Sequence, residues 1–170
     1  MKFSSVSSSI SSSSCSVRLS TLVKKVNVTI SNRKNASIIS SFCKYMEEKG
    51  SSENHQVNNL KVIMDFAKFL GPISFYDVKE REQIISFLNT KIKTQDEDPD
   101  KRWITTWNHY LNRIKLFVRW LYNYNLQHEH HLQENDEWTT PDFCKIRPKQ
   151  TKRLSPYLES ELWERDELLT

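Results

Sequence analysis

Glycine is almost missing from this chain: Gly50 and Gly71 are the only two in 170 residues. Tight sheet turns and phosphate-cradling loops need glycine where the backbone takes positive φ or approaches a ligand closely, so β-rich and glycine-loop architectures are disfavoured. Cysteine is sparse too. Cys15, Cys43 and Cys144 are odd in number, far apart and without a CxxC spacing, which argues against a disulfide scaffold or a zinc finger and for a reducing intracellular compartment. No stretch approaches the roughly 20 apolar residues that a bilayer span requires, so no membrane partner is expected. Acids are absent from the first 46 residues, which carry seven Lys or Arg.

What remains is enough for a core. Aromatics make up 11% of the chain, five of them Trp, and such side chains favour burial. The length fits one domain with tails. Net charge is +4, the isoelectric point is near 8.9 and mean hydropathy is −0.66, a mild pointer to a polyanionic partner. The charge alternates by segment. Residues 99–123 carry five bases against one acid, 124–144 carry five acids, and 145–153 carry five bases.

Residues 1–34 form a Ser-rich tail with runs at Ser7–Ser9 and Ser11–Ser14. Such a segment buries too little to offset its ordering entropy, although Leu19 to Val28 offers a short amphipathic stub. Its acid-free composition also resembles organellar transit peptides.

Four helices follow. The first runs over about 36–49, with Ile38, Phe42, Tyr45 and Met46 inward and Gly50 as its stop. The second runs over about 53–70, capped by Ser52, striped by Val57, Leu60, Ile63, Met64 and Ala67, and ended by Gly71-Pro72. A third starts after Asp77, with Glu80 as its capping-box partner and Ile84, Ile85, Leu88 and Ile92 buried. The fourth is capped by Asp98, begins at Pro99 and carries Trp103, Trp107, Tyr110, Leu111, Ile114, Val118 and Leu121 at helical spacing to Asn123. The fold class is all-α, a bundle of four or five helices.

The second and fourth helices echo one another. Asn54-His55 precedes Asn58, Asn59 and Lys61 as Asn108-His109 precedes Asn112, Arg113 and Lys115. Their outer faces are expected to present His55, Asn58, Asn59 and Lys61, and Thr105, His109, Asn112, Arg113, Lys115 and Arg119. Asn and Arg can bond base edges bidentately, Lys and Arg neutralise phosphates, and a helix fits the major groove of double-stranded DNA. A solvated helix face is polar in any case, so a helical module that binds protein explains the same pattern.

The run Thr105-Thr106-Trp107-Asn108 through Leu111, Ile114, Phe117 and Trp120-Leu121 resembles the last helix of the core-binding domain of tyrosine recombinases, the phage integrase family. Ser52 to Leu70, ending Phe66-Ala67-Lys68-Phe69-Leu70, is similar to its paired helix. Lys152-Arg153-Leu154-Ser155-Pro156-Tyr157, followed by Glu159, Glu161 and Leu162, resembles the entry to the catalytic domain. The likeness is closest to integrases of archaeal mobile elements and covers about four-fifths of the chain.

The resemblance implies a SAM-like DNA-binding domain over 35–126, a linker over 127–156 and the start of a catalytic domain over 157–170. It implies one half of a clamp around duplex DNA, acting in integration and site-specific recombination beside other recombinase protomers. The Arg/His/Arg constellation and nucleophilic Tyr of the family lie beyond the motifs seen here, so the expectation is a chain without catalysis, in the cytoplasm on the nucleoid. Family chemistry conserves energy in a phosphotyrosyl link and implies no cofactor or metal.

In that clamp the basic run Lys145, Arg147, Lys149, Lys152 and Arg153 passes beside the duplex, where alternate cations offset phosphate charge. The acidic stretch from Glu129 to Asp142 points away. His128-Glu129-His130-His131 lacks the spacing of HExxH, and adjacent histidines after a helix read as solvated, not as ligands. Trp103, Trp107, Trp120 and Trp138 can stack on unpaired bases, but helical spacing assigns the first two to the core. Cys43 reads as a small core residue. Besides the recombinase reading stand the protein-binding module, using these faces or Glu159 to Leu169, and a regulator that occupies recombination sites.

Overall fold

The computed structural model describes residues 17–130 and 139–150. Among them are five α-helices and two short 3₁₀ turns, with no strand. They fall into two compact units divided between Val78 and Lys79, a boundary inside the span expected to be a single core-binding domain.

The first unit holds α1 (Val17–Thr29), α2 (Arg33–Glu48) and α3 (Glu53–Leu70), each packed on the other two. The Ser-rich tail was expected to lack packed structure apart from an amphipathic stub over Leu19 to Val28, and α1 forms over that stub. Leu19, Val26 and Ile30 are buried. They stand at i, i+7 and i+11, which brings them onto one helical face. Helix α2 starts three residues before its expected position, because the Asn32 side chain accepts from the amides of Lys34 and Asn35. Its inward face is turned as well, since Asn35, Ala36, Ile39, Phe42, Cys43 and Met46 are buried while Ile38 and Tyr45 are only half-buried.

At the end of α2 the chain turns through Gly50 at φ +69°. Gly50 N–H donates to Glu47 O and Ser51 N–H to Met46 O, both at 2.9 Å, the paired bonds of a Schellman cap. Helix α3 has the expected bounds, with Ser52 Oγ accepting from His55 N–H and the chain leaving at Gly71. Asn35 sits fully buried and ties down the exit from α3. Its amide donates to Ile73 O, and its carbonyl oxygen accepts from Phe75 N–H, both at 2.9 Å.

The second unit holds α4 (Arg81–Asn89) and α5 (Trp103–His130). The cap of α4 is one turn later than Asp77 and Glu80 suggested, because Phe75–Asp77 form a 3₁₀ turn. Gln83 closes the start of α4 by accepting from the Lys79 and Glu80 amides. Ile84, Phe87 and Leu88 are buried, whereas Ile85 is half-buried and Ile92 lies beyond the helix and exposed.

Helix α5 begins at Trp103, not at Pro99. Lys101 takes φ +53°, which interrupts the helix between them. Asp98 still acts as the cap, reaching over this turn to accept from Trp103 N–H at 2.7 Å. The helix has 28 residues, or about 42 Å at 1.5 Å per residue. Its stripe of Trp107, Leu111, Ile114, Phe117, Val118, Trp120 and Leu121 is buried.

Candidate nucleic-acid interface

Helix α5 meets residues 139–150, part of the span 127–156 expected to be a linker. This segment runs antiparallel to the helix as a strap. Asn123 Nδ2 donates to Thr139 O at 2.9 Å, and Asn123 Oδ1 accepts from Thr139 N–H at 3.2 Å. Two helical turns earlier, Lys115 Nζ donates to Ile146 O at 2.6 Å. Two turns earlier again, Asn108 Nδ2 donates to Lys149 O and Asn108 Oδ1 accepts from Lys149 N–H, both at 2.8 Å. From α4, Arg81 Nη2 donates to Lys145 O at 3.2 Å.

The strap lacks a regular backbone ladder apart from its 3₁₀ turn at Asp142–Cys144, and side chains satisfy backbone groups of Thr139, Lys145, Ile146 and Lys149 instead. Its apolar residues complete the fit. Cys144 and Ile146 are buried, and Phe143 meets Tyr122 edge to face with ring centroids 5.6 Å apart. Burial pushes the Cys144 thiol up to about 11, against a smaller opposing effect of the Lys115 ammonium.

Lys149 does not project into solvent. Its ammonium lies 5.4 Å from the Trp103 ring centroid and 5.2 Å from that of Trp107, a cation held over two aromatic faces. Lys145 pairs with Asp142 at 2.7 Å, and this pair keeps the exposed Asp142 carboxyl below its ordinary value. Arg147 is exposed.

The expected outer faces are therefore only partly outward. On α5, Thr105, His109, Asn112 and Arg119 are exposed. Arg113 is half-buried and folds back along its own helix, donating to His109 O at 3.3 Å. Lys115 is half-buried and bound to the strap. On α3, His55, Asn58 and Lys61 are exposed, whereas Asn59 has only 1% of its surface accessible. The outward placement of Asn59 is thus corrected. It stands three residues after Gln56 and four before Ile63, on the buried side, and its amide donates to His55 O at 2.8 Å.

Helices α3 and α5 belong to different units. Lys152, Arg153, His131, Trp138 and the stretch from Glu159 to Leu169 lie outside the described residues, as do the side chains of His128, Glu129 and His130. Trp120 is core, with 2% of its surface accessible.

No family model, no curated protein and no solved structure matches this chain.

Among the described residues no three His, Cys, Asp or Glu side chains gather as a metal site, and no helix is long and apolar enough to cross a membrane. The interface has one chemical character. Between Asp100 and Glu129 the sequence has no acid. Arg113, Lys115 and Arg119 stand on that stretch of α5, and the strap carries Lys145, Arg147 and Lys149 with one acid of its own, Asp142. The basic run was expected beside the duplex but not packed on α5, because a basic linker reads as solvated. A signal was present: Cys144-Lys145-Ile146-Arg147 alternates apolar and basic residues, the period of an extended segment buried on one side.

Proposed function

We propose that this chain binds duplex DNA through the exposed face of α5 and the basic strap clasped to it. The observation that carries this is the attachment of the strap, with three cations and one acid, to an acid-free stretch of α5 through Asn108, Lys115 and Asn123. Such a surface suits phosphate neutralisation, and Asn112, with Thr105 and His109 on the same helix, supplies groups able to bond base edges. Arg119 adds an exposed phosphate contact. His55, Asn58 and Lys61 on α3 form a second polar face, read as an additional DNA contact.

The resemblance of the sequence to the core-binding domain of tyrosine recombinases supports the same conclusion and extends it to DNA integration and site-specific recombination, on the nucleoid and beside other protomers. No catalysis is assigned to this chain. Binding to a duplex of unrelated sequence, followed over a range of salt, tests the proposal. If about five cations meet phosphates, log K falls against log salt with a slope of about −4.5. Absence of binding at about 50 mM salt, where phosphate contacts are strong, overturns it.

A protein-binding role has one specific observation in its favour. Phe69, Ile73 and Tyr76 are exposed around the end of α3, and large apolar side chains grouped on a surface are a mark of protein contact.

A further inference from the structure

An open cleft of about 590 Å³ lies between α5 and the strap, lined by Lys115, Thr139, Thr140, Lys145 and Arg147 among others. We infer that this cleft is a seat for a single phosphate group. The inference rests on the duplex-binding proposal for its preferred ligand, a backbone phosphodiester, and the same chemistry admits a free phosphate.

Beside the apolar Ile146 and Pro148, the cleft brings together three cationic side chains, Lys115, Lys145 and Arg147. Lys115 donates one N–H to Ile146 O, and an ammonium has three donors, so two remain for a ligand. That same bond fixes the position of its charge beside the strap. Arg147 is exposed and supplies a planar fork of donors, suited to two oxygens of one phosphate. Thr139 uses its backbone N–H and C=O on Asn123, which orients the residue at the rim and leaves its hydroxyl as a further donor.

The only acid nearby on the strap, Asp142, is paired with Lys145. Both side chains are largely exposed, at 94% and 62%, so the pair is screened and Lys145 exchanges partners at little cost. Lys149 is excluded from the seat because its charge is held over Trp103 and Trp107. The strap therefore sorts its cations into one that anchors and two that face the cleft.

The test uses the full chain, with amide NMR shifts of Thr139, Thr140 and Arg147 followed during titration with inorganic phosphate. In parallel, binding of a duplex of about two helical turns, roughly 20 base pairs, is measured over a range of salt. The expected result is a saturable shift of these amides with phosphate and its loss in Arg147→Ala. The duplex salt slope should become shallower by about 1 in Arg147→Ala and recover in Arg147→Lys, while Lys34→Ala on α2 leaves the phosphate shifts unchanged.

If the unsubstituted chain binds duplex but Arg147→Ala alters neither the slope nor the shifts, the seat is overturned and duplex binding stands. If phosphate shifts the cleft amides in an Arg147-dependent way while no duplex binds, the seat stands with free phosphate as its ligand. The duplex proposal then falls.

Discussion

The Asn108 side-chain amide and the Lys149 backbone exchange two hydrogen bonds of 2.8 Å each, forty-one residues apart in the chain. The pair copies the donor-and-acceptor exchange of two strands, with a helix side chain standing in for one of them. It fixes the register of the strap, and it places the Lys149 ammonium over Trp103 and Trp107.

Replacing Asn108 with Ala leaves the half-buried N–H and C=O of Lys149 without partners. The expected loss is about 1–3 kcal/mol of unfolding free energy, measured by denaturant titration. Hydrogen exchange at the Lys149 amide should accelerate in Asn108→Ala. Retained protection there would show that the clasp does not hold the strap.

Trp120 is core, so Trp120→Ala should destabilise by about 3–5 kcal/mol. A fluorescence titration of a variant with Trp120 as its only tryptophan should show little quenching by duplex or by single-stranded DNA. Strong quenching would mean that the ring stacks on bases.

The thiol of Cys144, raised from 9.0 to about 11, links stability to alkaline pH. As pH rises from 9 toward 11, the unfolded chain loses this proton while the folded chain keeps it, so stability falls across that window. The two-unit difference corresponds to at most about 2–3 kcal/mol. Denaturant midpoints of the native chain and of Cys144→Ala, compared from neutral to alkaline pH, should converge as pH rises. Folded protein near neutral pH should react slowly with a thiol reagent at this position and quickly once unfolded.

On the exposed face of α5 two substitutions should separate charge from recognition. Arg119→Ala should weaken binding to all duplex sequences alike and reduce the salt slope by about 1. Asn112→Ala should cost about 1–3 kcal/mol on a preferred sequence and almost nothing on others. Equal effects of Asn112→Ala on every duplex would remove Asn112 from base recognition.

Much of the helical content was legible. The stripe of α3 and its Ser52 and Gly71 ends are stated by local residues, since a cap and a glycine act within one turn of the helix they bound. The start of α5 was misjudged because Asp98 caps at a distance of five residues across a left-handed Lys101. The face of α2 was misjudged by about one position, since Ile38 and Ile39 are equally apolar and only packing chooses between them. In the candidate site Thr105, His109, Asn112 and Arg119 are outward as spacing implied, whereas Asn59 is buried although its type is polar.

The order of apolar and polar residues determined by itself that the described chain is helical, because a 3.6-residue period acts over neighbours a few positions apart. It also determined that α5 carries no acid before Glu129, at its very end, a fact of composition. Which cations remain available was decided only by tertiary structure. Lys115, Lys149 and Arg147 are similar in sequence terms, yet one is tied to a carbonyl, one lies over two indoles and one is exposed. Those fates depend on contacts tens of residues apart, which chain folding brings together and no local pattern encodes.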